Sequence, residues 1–176
     1  MQIPRRILIL GPESTGKSTL ASDLAVHFEE PWVPEFAREY LSLLDREYEY
    51  QDLLQIAKGQ VALEDELAQK AQKFLFCDTD LRVIQVWSEH KYGRVHDWVK
   101  TELDQRVYDL ILLTDIDLPW EPDPLREHPD PEMRQYFLDL YLEMAAQSGI
   151  PWEKISGNRS ARLEKSIDLI ESHFSQ

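Results

Sequence analysis

The stretch Gly-Pro-Glu-Ser-Thr-Gly-Lys-Ser at residues 11–18 decides the fold class, because it matches the pattern G-x-x-x-x-G-K-[ST] at every required position. In this pattern the glycines let the loop wrap around phosphates, and backbone N–H groups and the amino end of the next helix face the anion. The lysine reaches the β- and γ-phosphates, and the final hydroxyl coordinates Mg²⁺. The stretch predicts ATP·Mg binding by Gly11, Glu13, Ser14, Thr15, Gly16, Lys17, Ser18 and Thr19.

Short apolar runs and helical patterns alternate around this loop. Strands are predicted for the apolar runs at residues 6–10, 32–33, 74–77, 108–113 and 152–155. Helices are predicted, from apolar residues at helical spacing, for 17–28, 36–44, 51–72, 81–90, 96–105, 133–146 and 161–173. Because strands that alternate with helices form parallel sheets, we expect an α/β protein with a five-stranded parallel sheet, in one domain over residues 1–176.

The charge balance limits the partners of the chain. It has 19 Lys and Arg against 33 Asp and Glu, a formal net charge of −14. Such a surface repels phosphate backbones and anionic lipids, so nucleic acid and membrane partners are not expected. The single cysteine, Cys77, excludes an internal disulfide. The apolar runs have the length of strands, and the run before Gly11 is too short for a signal peptide. We therefore expect a cytoplasmic protein.

Acidic residues follow the predicted strands, at the edge where open parallel sheets bind ligands. Asp78 comes after four apolar residues, the arrangement in which a carboxylate holds the Mg²⁺ shell, so Ser18 and Asp78 are the candidate metal ligands. A strand-ending turn or a helix cap is the alternative for Asp78. Asp80 resembles the N-cap of the next helix, and Asp115 and Asp117 are expected to be structural.

Glu35 follows the second predicted strand, within Val-Pro-Glu-Phe-Ala-Arg at residues 33–38. A carboxylate that faces the phosphate loop can accept the proton of an attacking hydroxyl, or hold that hydroxyl in place. Glu35 and Asp78 are both candidates for this general base. A surface ion pair between Glu35 and Arg38 is the alternative interpretation.

A proline-rich, acidic segment follows the fourth predicted strand, and we call residues 119–134 the lid segment. Arginines on such a segment can close over ATP, neutralise charge in the transition state and exclude water. Arg126 and, less strongly, Arg134 are the candidates. The alternative is that both are solvated cations that pair with nearby carboxylates.

Several aromatic side chains are candidates for stacking on a flat substrate ring. Trp87 and Tyr92 lie on or just past the helix after Asp78, and Trp120 opens the lid segment. A cationic ring would gain from cation–π attraction, whereas an aromatic residue taken singly is more often part of the core. Metal-ligand spacing is absent from the histidines, which are interpreted as surface residues: His90, His96 and His128.

A family resemblance emerges from motifs that occur in one order along the chain. They are Gly-Pro-Glu-Ser-Thr-Gly-Lys-Ser-Thr (11–19), Pro-Glu-Phe-Ala-Arg-Glu-Tyr (34–40), Ile-Ala-Lys-Gly-Gln (56–60), Phe-Cys-Asp-Thr-Asp (76–80) and Leu-Pro-Trp…Leu-Arg (118–126). Over about residues 5–165 they resemble the ribosylnicotinamide kinase domain of the bacterial NadR proteins. The phosphate loop alone is shared by many families, but the ordered combination is specific.

The resemblance implies a three-layer P-loop kinase fold with a closing lid, and ATP-dependent phosphorylation of nicotinamide riboside at its 5′-hydroxyl to give nicotinamide mononucleotide. It assigns Glu35 and Arg38 to the acceptor, Asp78 to the acidic position at the strand end and Arg126 to the lid arginine. It places residues 156–162, with Asn158, near adenine. The candidate acceptor-binding residues are Glu35, Arg38, Asp80, Trp87, Tyr92 and Trp120.

Two other functions remain open at this point. One is a kinase of another nucleoside or small metabolite, and the other is an ATP-binding regulatory module that hydrolyses ATP slowly. Asn-Lys-x-Asp, typical of guanine-nucleotide switches, does not occur. The His-x-Gly-His signature of the NadR adenylyltransferase domain is also absent, so neither adenylyl transfer nor DNA-bound regulation is expected. The sequence predicts no oligomeric state.

Overall fold

A computed structural model describes residues 3–175 of the chain, in which five strands alternate with seven helices. In chain order the elements are β1 (Arg5–Leu10), α1 (Lys17–Phe28), β2 (Trp32–Val33), α2 (Phe36–Ser42), α3 (Tyr50–Ala68), β3 (Phe74–Asp78), α4 (Leu81–Tyr92), α5 (Asp97–Gln105), β4 (Leu110–Thr114), α6 (Pro131–Gln147), β5 (Trp152–Ile155) and α7 (Arg159–Phe174). The strands form one sheet in the order β2-β3-β1-β4-β5, and every neighbouring pair is parallel. The expected five-stranded parallel α/β fold is confirmed.

Side chains of the central strands alternate between two apolar layers. Leu8 and Leu10 of β1 pack with residues of α6 on one face, whereas Ile7 and Ile9 pack with residues of α1 and α7 on the other. Because both faces are covered, β3 and β4 are buried along their whole length, as is typical of parallel sheets. The result is a three-layer arrangement whose strand carboxyl ends share one edge. The assignment of residues 1–176 to one domain stays a prediction.

Element ends differ from the sequence prediction where local contacts stop an apolar pattern. α2 ends at Ser42 rather than at residue 44, because Leu43 and Leu44 donate to carbonyls only three residues back, as in a tight turn. α3 covers Tyr50–Ala68 rather than 51–72. β4 begins at Leu110 rather than at residue 108, since the Tyr108 hydroxyl donates to Glu64 at 2.9 Å instead of continuing the strand.

The lid segment is shorter than expected. α6 begins at Pro131, where proline suits the first helical position, and the Asp130 carboxylate caps the helix by accepting from the Met133 N–H at 3.0 Å. Residues 119–130 alone are irregular, and Arg134 lies in the first turn of α6. The prediction that Arg134 belongs to an irregular lid was therefore wrong. Within residues 3–175, no helix is both long enough and apolar enough to cross a bilayer.

Candidate active site

The phosphate loop joins β1 to α1 and lies against the end of β4. Gly11 has φ +149°, and a Cβ at this position would lie 2.4 Å from the Thr114 Oγ1 and 2.8 Å from the Thr114 carbonyl oxygen. Thr15 is fully buried, and its hydroxyl lies 2.7 Å from both the Pro12 carbonyl oxygen and the Thr114 Oγ1. Only glycine permits this close approach, and the Thr15 side chain supports the loop rather than facing a ligand.

The amino end of α1 has the properties of an anion site. Gly16 precedes the helix with φ +77°, and the first turn of α1 contains no acidic residue that would neutralise the helix dipole. Lys17 begins the helix, and its Nζ donates to the Pro12 carbonyl oxygen at 2.7 Å. Lys17 and the backbone N–H groups of the loop therefore face the same space, as binding of a polyphosphate requires.

Ser18 and Asp78, the candidate metal ligands, are in contact. The Ser18 hydroxyl donates to Asp78 Oδ2 at 2.5 Å, and the buried Asp78 Oδ1 has no partner among the described residues. Burial raises the pKa of Asp78 to about 6; the charge of Glu35 adds to the rise, whereas Lys17 and the Ser18 hydroxyl oppose it. Mg²⁺ is commonly held by one or two protein oxygens together with substrate phosphates, and this donor set fits that requirement.

Thr79 separates the two aspartates that follow β3. Its φ of +69° is unusual for a β-branched residue, and its N–H donates to the Ile9 carbonyl oxygen at 3.0 Å. The turn directs Asp78 toward Ser18, while Asp80 accepts from the Arg82 N–H at 3.0 Å and forms a buried ion pair with that arginine. Asp80 therefore caps α4, and the structure does not bring it to the acceptor cavity described next.

An open cavity of about 320 Å³ lies directly against the phosphate loop. We call the part remote from the loop the acceptor cavity. Its walls come from α2, from residues 44–48, from α4 and from α6, with lid residues 124–128 above it. Glu35, Arg38, Trp87 and Arg126 line this space, whereas Tyr92, Trp120 and Asn158 do not among the described residues. Glu35 is the candidate base that borders both the loop and the cavity.

Arg38 is held between two carboxylates at the cavity wall. Its Nε lies 3.7 Å from Glu35 Oε2, and its Nη1 donates to Asp123 Oδ2 in the lid segment at 3.0 Å. Burial alone would lower the pKa of Arg38, but the two carboxylates outweigh burial and raise it. The Glu35–Arg38 ion pair therefore exists, and it faces the cavity rather than open solvent.

The side chains of Glu13 and Ser14 contact the lid segment. The Glu13 carboxylate accepts from the N–H groups of Glu127 at 3.1 Å and His128 at 3.3 Å. The Ser14 hydroxyl accepts from the Glu121 N–H at 3.0 Å. These residues tie the lid to the phosphate loop in this structure, and nucleotide binding by their side chains stays a prediction.

The two candidate lid arginines have different surroundings. Arg126 lines the cavity, and its Nη1 donates to the Glu121 carbonyl oxygen at 2.5 Å. Arg134 is buried and donates to the carbonyl oxygens of Leu118 at 3.1 Å and Ser14 at 3.4 Å. Burial lowers the pKa of Arg134. Arg134 is thus fixed against the loop backbone, and only Arg126 lies on the lid.

Other predicted residues have identifiable structural contacts. The Asn158 side chain caps α7 by accepting from the Ala161 N–H at 3.0 Å, and Asn158 is exposed. Asp115 accepts from Ser156 at 2.9 Å, and Asp117 pairs with the buried Arg162, which also donates to the Thr15 carbonyl oxygen at 2.6 Å. These bonds support the structural interpretation of Asp115 and Asp117.

Sequence reasoning missed three residues of the cavity wall: Tyr48, His90 and His128. The Trp87 indole N–H donates to the Tyr48 hydroxyl at 2.8 Å, and that hydroxyl donates to Glu127 Oε1 at 2.8 Å. His90 and His128 meet edge to face with ring centroids 5.3 Å apart. Nothing in the local sequence signals these contacts, because each joins the lid or residues 44–48 to α4.

Replacing Tyr48 with Phe is expected to loosen the lid segment. The change removes the bond to Glu127 but retains the ring, over which the Lys91 ammonium lies 3.7 Å from the centroid. A hydrogen bond worth about 1 kcal/mol predicts up to about tenfold faster amide exchange in residues 121–128, measured by hydrogen–deuterium exchange. Tyr136→Phe, on the exposed face of α6, is the control. Unchanged exchange in Tyr48→Phe would show that this bond does not hold the lid.

Comparison with known proteins places this geometry in a family. A family model described as an AAA domain matches residues 6–162. The chain is 30% identical over 172 residues to the trifunctional NAD biosynthesis/regulator protein NadR of Salmonella typhimurium, and 31% identical over 171 residues to that of Escherichia coli K12. These alignments include 95% and 94% of this chain but 42% of each relative, so the chain spans less than half of their length. The resemblance to NadR is confirmed.

Solved structures give the same fold. A NadR protein in complex with NR superposes with a TM-score of 0.78 at 21% identity, over 99% of this chain and 52% of that one. Thymidylate kinase from Ehrlichia chaffeensis gives 0.67 at 14% identity, over 96% and 100%. Deoxyadenosine kinase from M. mycoides gives 0.61 at 14% identity, over 95% and 99%. At these identities the likeness establishes the fold alone, and the expected P-loop kinase fold is confirmed.

Proposed function

The chain belongs to the AAA domain family, and from this premise we propose that it is an ATP-dependent nucleoside kinase whose acceptor is nicotinamide riboside, converted to nicotinamide mononucleotide. The observation that carries the proposal is the shared cavity. The phosphate loop forms one side of it, aromatic and charged residues form the other, and Glu35 lies between them. A site for a phosphoryl donor therefore adjoins a site of suitable size for a small acceptor.

The pairing of the cavity arginines supports a nucleoside rather than a nucleoside monophosphate as acceptor. Arg38 is bonded to Asp123, and Arg46 makes two bonds to Asp52, at 2.7 and 2.9 Å. A phosphorylated acceptor would need a cation that is not already neutralised by a carboxylate. The fold likeness to thymidylate kinase therefore does not extend to an evident site for a second phosphate group.

The composition of the wall supports a cationic ring. Tyr48 and Trp87 offer aromatic faces or edges, and the carboxylates of Glu47 and Glu127 line the same space. A positively charged ring such as that of nicotinamide riboside is attracted both to aromatic faces and to nearby carboxylates. The name of the NadR relatives, which refers to NAD biosynthesis, agrees with this acceptor.

The proposed reaction is an in-line transfer. The acceptor hydroxyl gives its proton to Glu35 as its oxygen forms a bond to the γ-phosphorus, the bond from that phosphorus to the bridging oxygen breaks, and ADP leaves. Lys17, the loop N–H groups and Arg126 stabilise negative charge on the transferring group. Ser18 and Asp78 would hold Mg²⁺, which supplies further charge neutralisation when bound. Glu35 is preferred to Asp78 as the base because it lines the cavity and Asp78 does not.

The test is ADP release from ATP·Mg with a panel of acceptors. The panel contains nicotinamide riboside, uncharged nucleosides such as cytidine and adenosine, and dTMP as a phosphorylated acceptor. We expect nicotinamide riboside to stimulate turnover most strongly, with nicotinamide mononucleotide formed in equal amount to ADP. Stimulation by another nucleoside alone would refute the riboside assignment. If no acceptor stimulates turnover, the kinase proposal is wrong and the alternative of an ATP-binding regulatory module is favoured.

A further inference from the structure

One motif quoted above, Ile-Ala-Lys-Gly-Gln at residues 56–60, lies on α3 and does not line the cavity. Its last residue, Gln60, is 3% exposed. Gln60 Oε1 accepts from the Phe36 backbone N–H at 2.8 Å, and Gln60 Nε2 donates to the Pro34 carbonyl oxygen at 3.3 Å. The two bonds are made to the residues on either side of Glu35. A single buried side chain thus holds both ends of the turn that carries the candidate base.

Gly59 brings the same turn close to α3. A Cβ on Gly59 would lie 2.1 Å from Cε1 of the Phe36 ring, so this ring rests directly on the helix backbone. Glycine is unfavourable inside a helix, which makes its position on the contact surface informative. Gly59 and Gln60 therefore act on one target: glycine provides room for the Phe36 ring, and glutamine bonds the backbone on both sides of Glu35.

The turn has few contacts of its own that would fix Glu35. α2 is only seven residues long, Ala37 is its one buried residue in the described chain, and Glu35 makes no side-chain cap bond at its start. Pro34 has no N–H to donate, and it is exposed. With so little local restraint, the direction of the Glu35 carboxylate depends on contacts from elsewhere, and Gln60 provides two of them.

We propose that Gln60 is a positioning residue for Glu35: it sets the backbone of residues 34–36 so that the carboxylate borders both the phosphate loop and the acceptor cavity. The inference rests on the proposed kinase function, since it concerns the base of that reaction. Gln60 does not touch the acceptor, and its contribution to turnover passes through Glu35. Misplacement of a reacting group by about 1 Å can reduce turnover by about a hundredfold, so the expected effect is measurable.

The experiment is a double-mutant cycle between Gln60 and Glu35. Gln60→Met keeps the length of the side chain but removes both hydrogen bonds, and Glu35→Gln removes the proton acceptor. We expect Gln60→Met to reduce kcat about ten- to a hundredfold with the KM for ATP within twofold, and to have no further effect in the Glu35→Gln background. Gln55→Met, at an exposed position of the same helix, is the control.

A second readout tests the clamp without relying on turnover. The Phe36 amide should exchange with solvent about tenfold faster in Gln60→Met than in the wild type, because its hydrogen-bond acceptor is gone. Gly59→Ala, which displaces the Phe36 ring, should also reduce kcat and leave the KM for ATP unchanged. It serves as the test variant if Gln60→Met does not fold, as judged by circular dichroism.

The outcomes separate the two hypotheses. If the wild type phosphorylates the riboside but Gln60→Met stays within twofold of it, or the effects of Gln60→Met and Glu35→Gln multiply, the positioning role is wrong and the kinase proposal stands. If Glu35→Gln itself is as active as the wild type, no route through Glu35 exists and the inference is also wrong. If the wild type shows no acceptor-stimulated turnover, the proposed function fails and the inference fails with it.

Discussion

Lys17→Ala is expected to reduce phosphoryl transfer on the order of a thousandfold while the fold is retained, because loss of a preorganised charge at a transferring group has effects of this size. Lys17 begins α1 beside the backbone N–H groups of the phosphate loop, where its ammonium can neutralise charge that develops on the transferring group. Alanine keeps the backbone N–H and therefore most of the anion site. Turnover should be lost more completely than nucleotide binding, because the missing charge matters most in the transition state.

The cost to folding should be small. In the ligand-free protein the described contact of the Lys17 ammonium is one hydrogen bond, to the Pro12 carbonyl oxygen, worth about 1 kcal/mol at most. α1 is anchored by Leu20, Ala21 and Leu24, which stay buried. ADP release with the riboside measures activity, and thermal unfolding measures stability. Lys70→Ala, on the exposed side of α3, is the matched control. More than a tenth of wild-type turnover in Lys17→Ala would contradict the assigned role.

Asp78→Asn is expected to lose activity and gain stability. Asparagine preserves the shape and can still accept from the Ser18 hydroxyl, but it removes the negative charge that a divalent cation requires. We expect turnover to fall by about a hundredfold or more, with partial recovery at high Mg²⁺ concentration. Turnover within tenfold of the wild type at ordinary Mg²⁺ concentration would contradict a role for Asp78 in metal binding.

The stability change follows from the pKa of Asp78. Burial raises this pKa to about 6, above the ordinary value of 3.8, so between these values the folded state binds more protons than the unfolded state. The free energy of unfolding of the wild type therefore falls as pH rises from about 4 to about 6, by up to about 3 kcal/mol for a shift of about two pKa units. Asparagine does not titrate and avoids this loss.

Urea unfolding without nucleotide, in the presence of EDTA, checks the prediction at two pH values. At pH 8 the free energy of unfolding of Asp78→Asn should exceed that of the wild type, and at pH 4 the two should be similar because Asp78 is then protonated in both states. Asp139→Asn, on the exposed face of α6, is the control and should show no such difference. Equal stability at pH 8 would indicate that the buried carboxylate is not destabilising.

The donor half of the site was predictable because its signals are local. Residues 11–18 carry their chemistry in a fixed spacing, and the apolar runs of β1, β3 and β4 identify buried parallel strands without tertiary information. The pairing of Asp78 with Ser18 also follows, since β1 and β3 are neighbours and their carboxyl ends meet at one edge. Asp80, only two residues later, was assigned to the acceptor because the sequence does not show that Thr79 turns the chain.

The acceptor half was less predictable because long-range contacts build it. Gln60 is 26 residues from Pro34, and Tyr48 is 79 residues from Glu127, so no spacing in the chain connects these pairs. Trp120 and Tyr92 are aromatic residues near the expected site, but composition does not reveal on which side of the cavity wall a ring lies. The extent of the lid was misjudged for a local reason, since Asp130-Pro131 is a helix start that the prolines around it obscured.

The lid segment is bonded to the phosphate loop through Glu13 and Ser14, and to the acceptor wall through the Arg38–Asp123 and Tyr48–Glu127 pairs. A ligand that orders this segment from one side lowers the entropy that the other ligand must give up to bind. The two substrates are therefore expected to bind with positive cooperativity. By thermodynamic linkage, the factor by which the acceptor tightens ATP binding equals the factor by which ATP tightens acceptor binding.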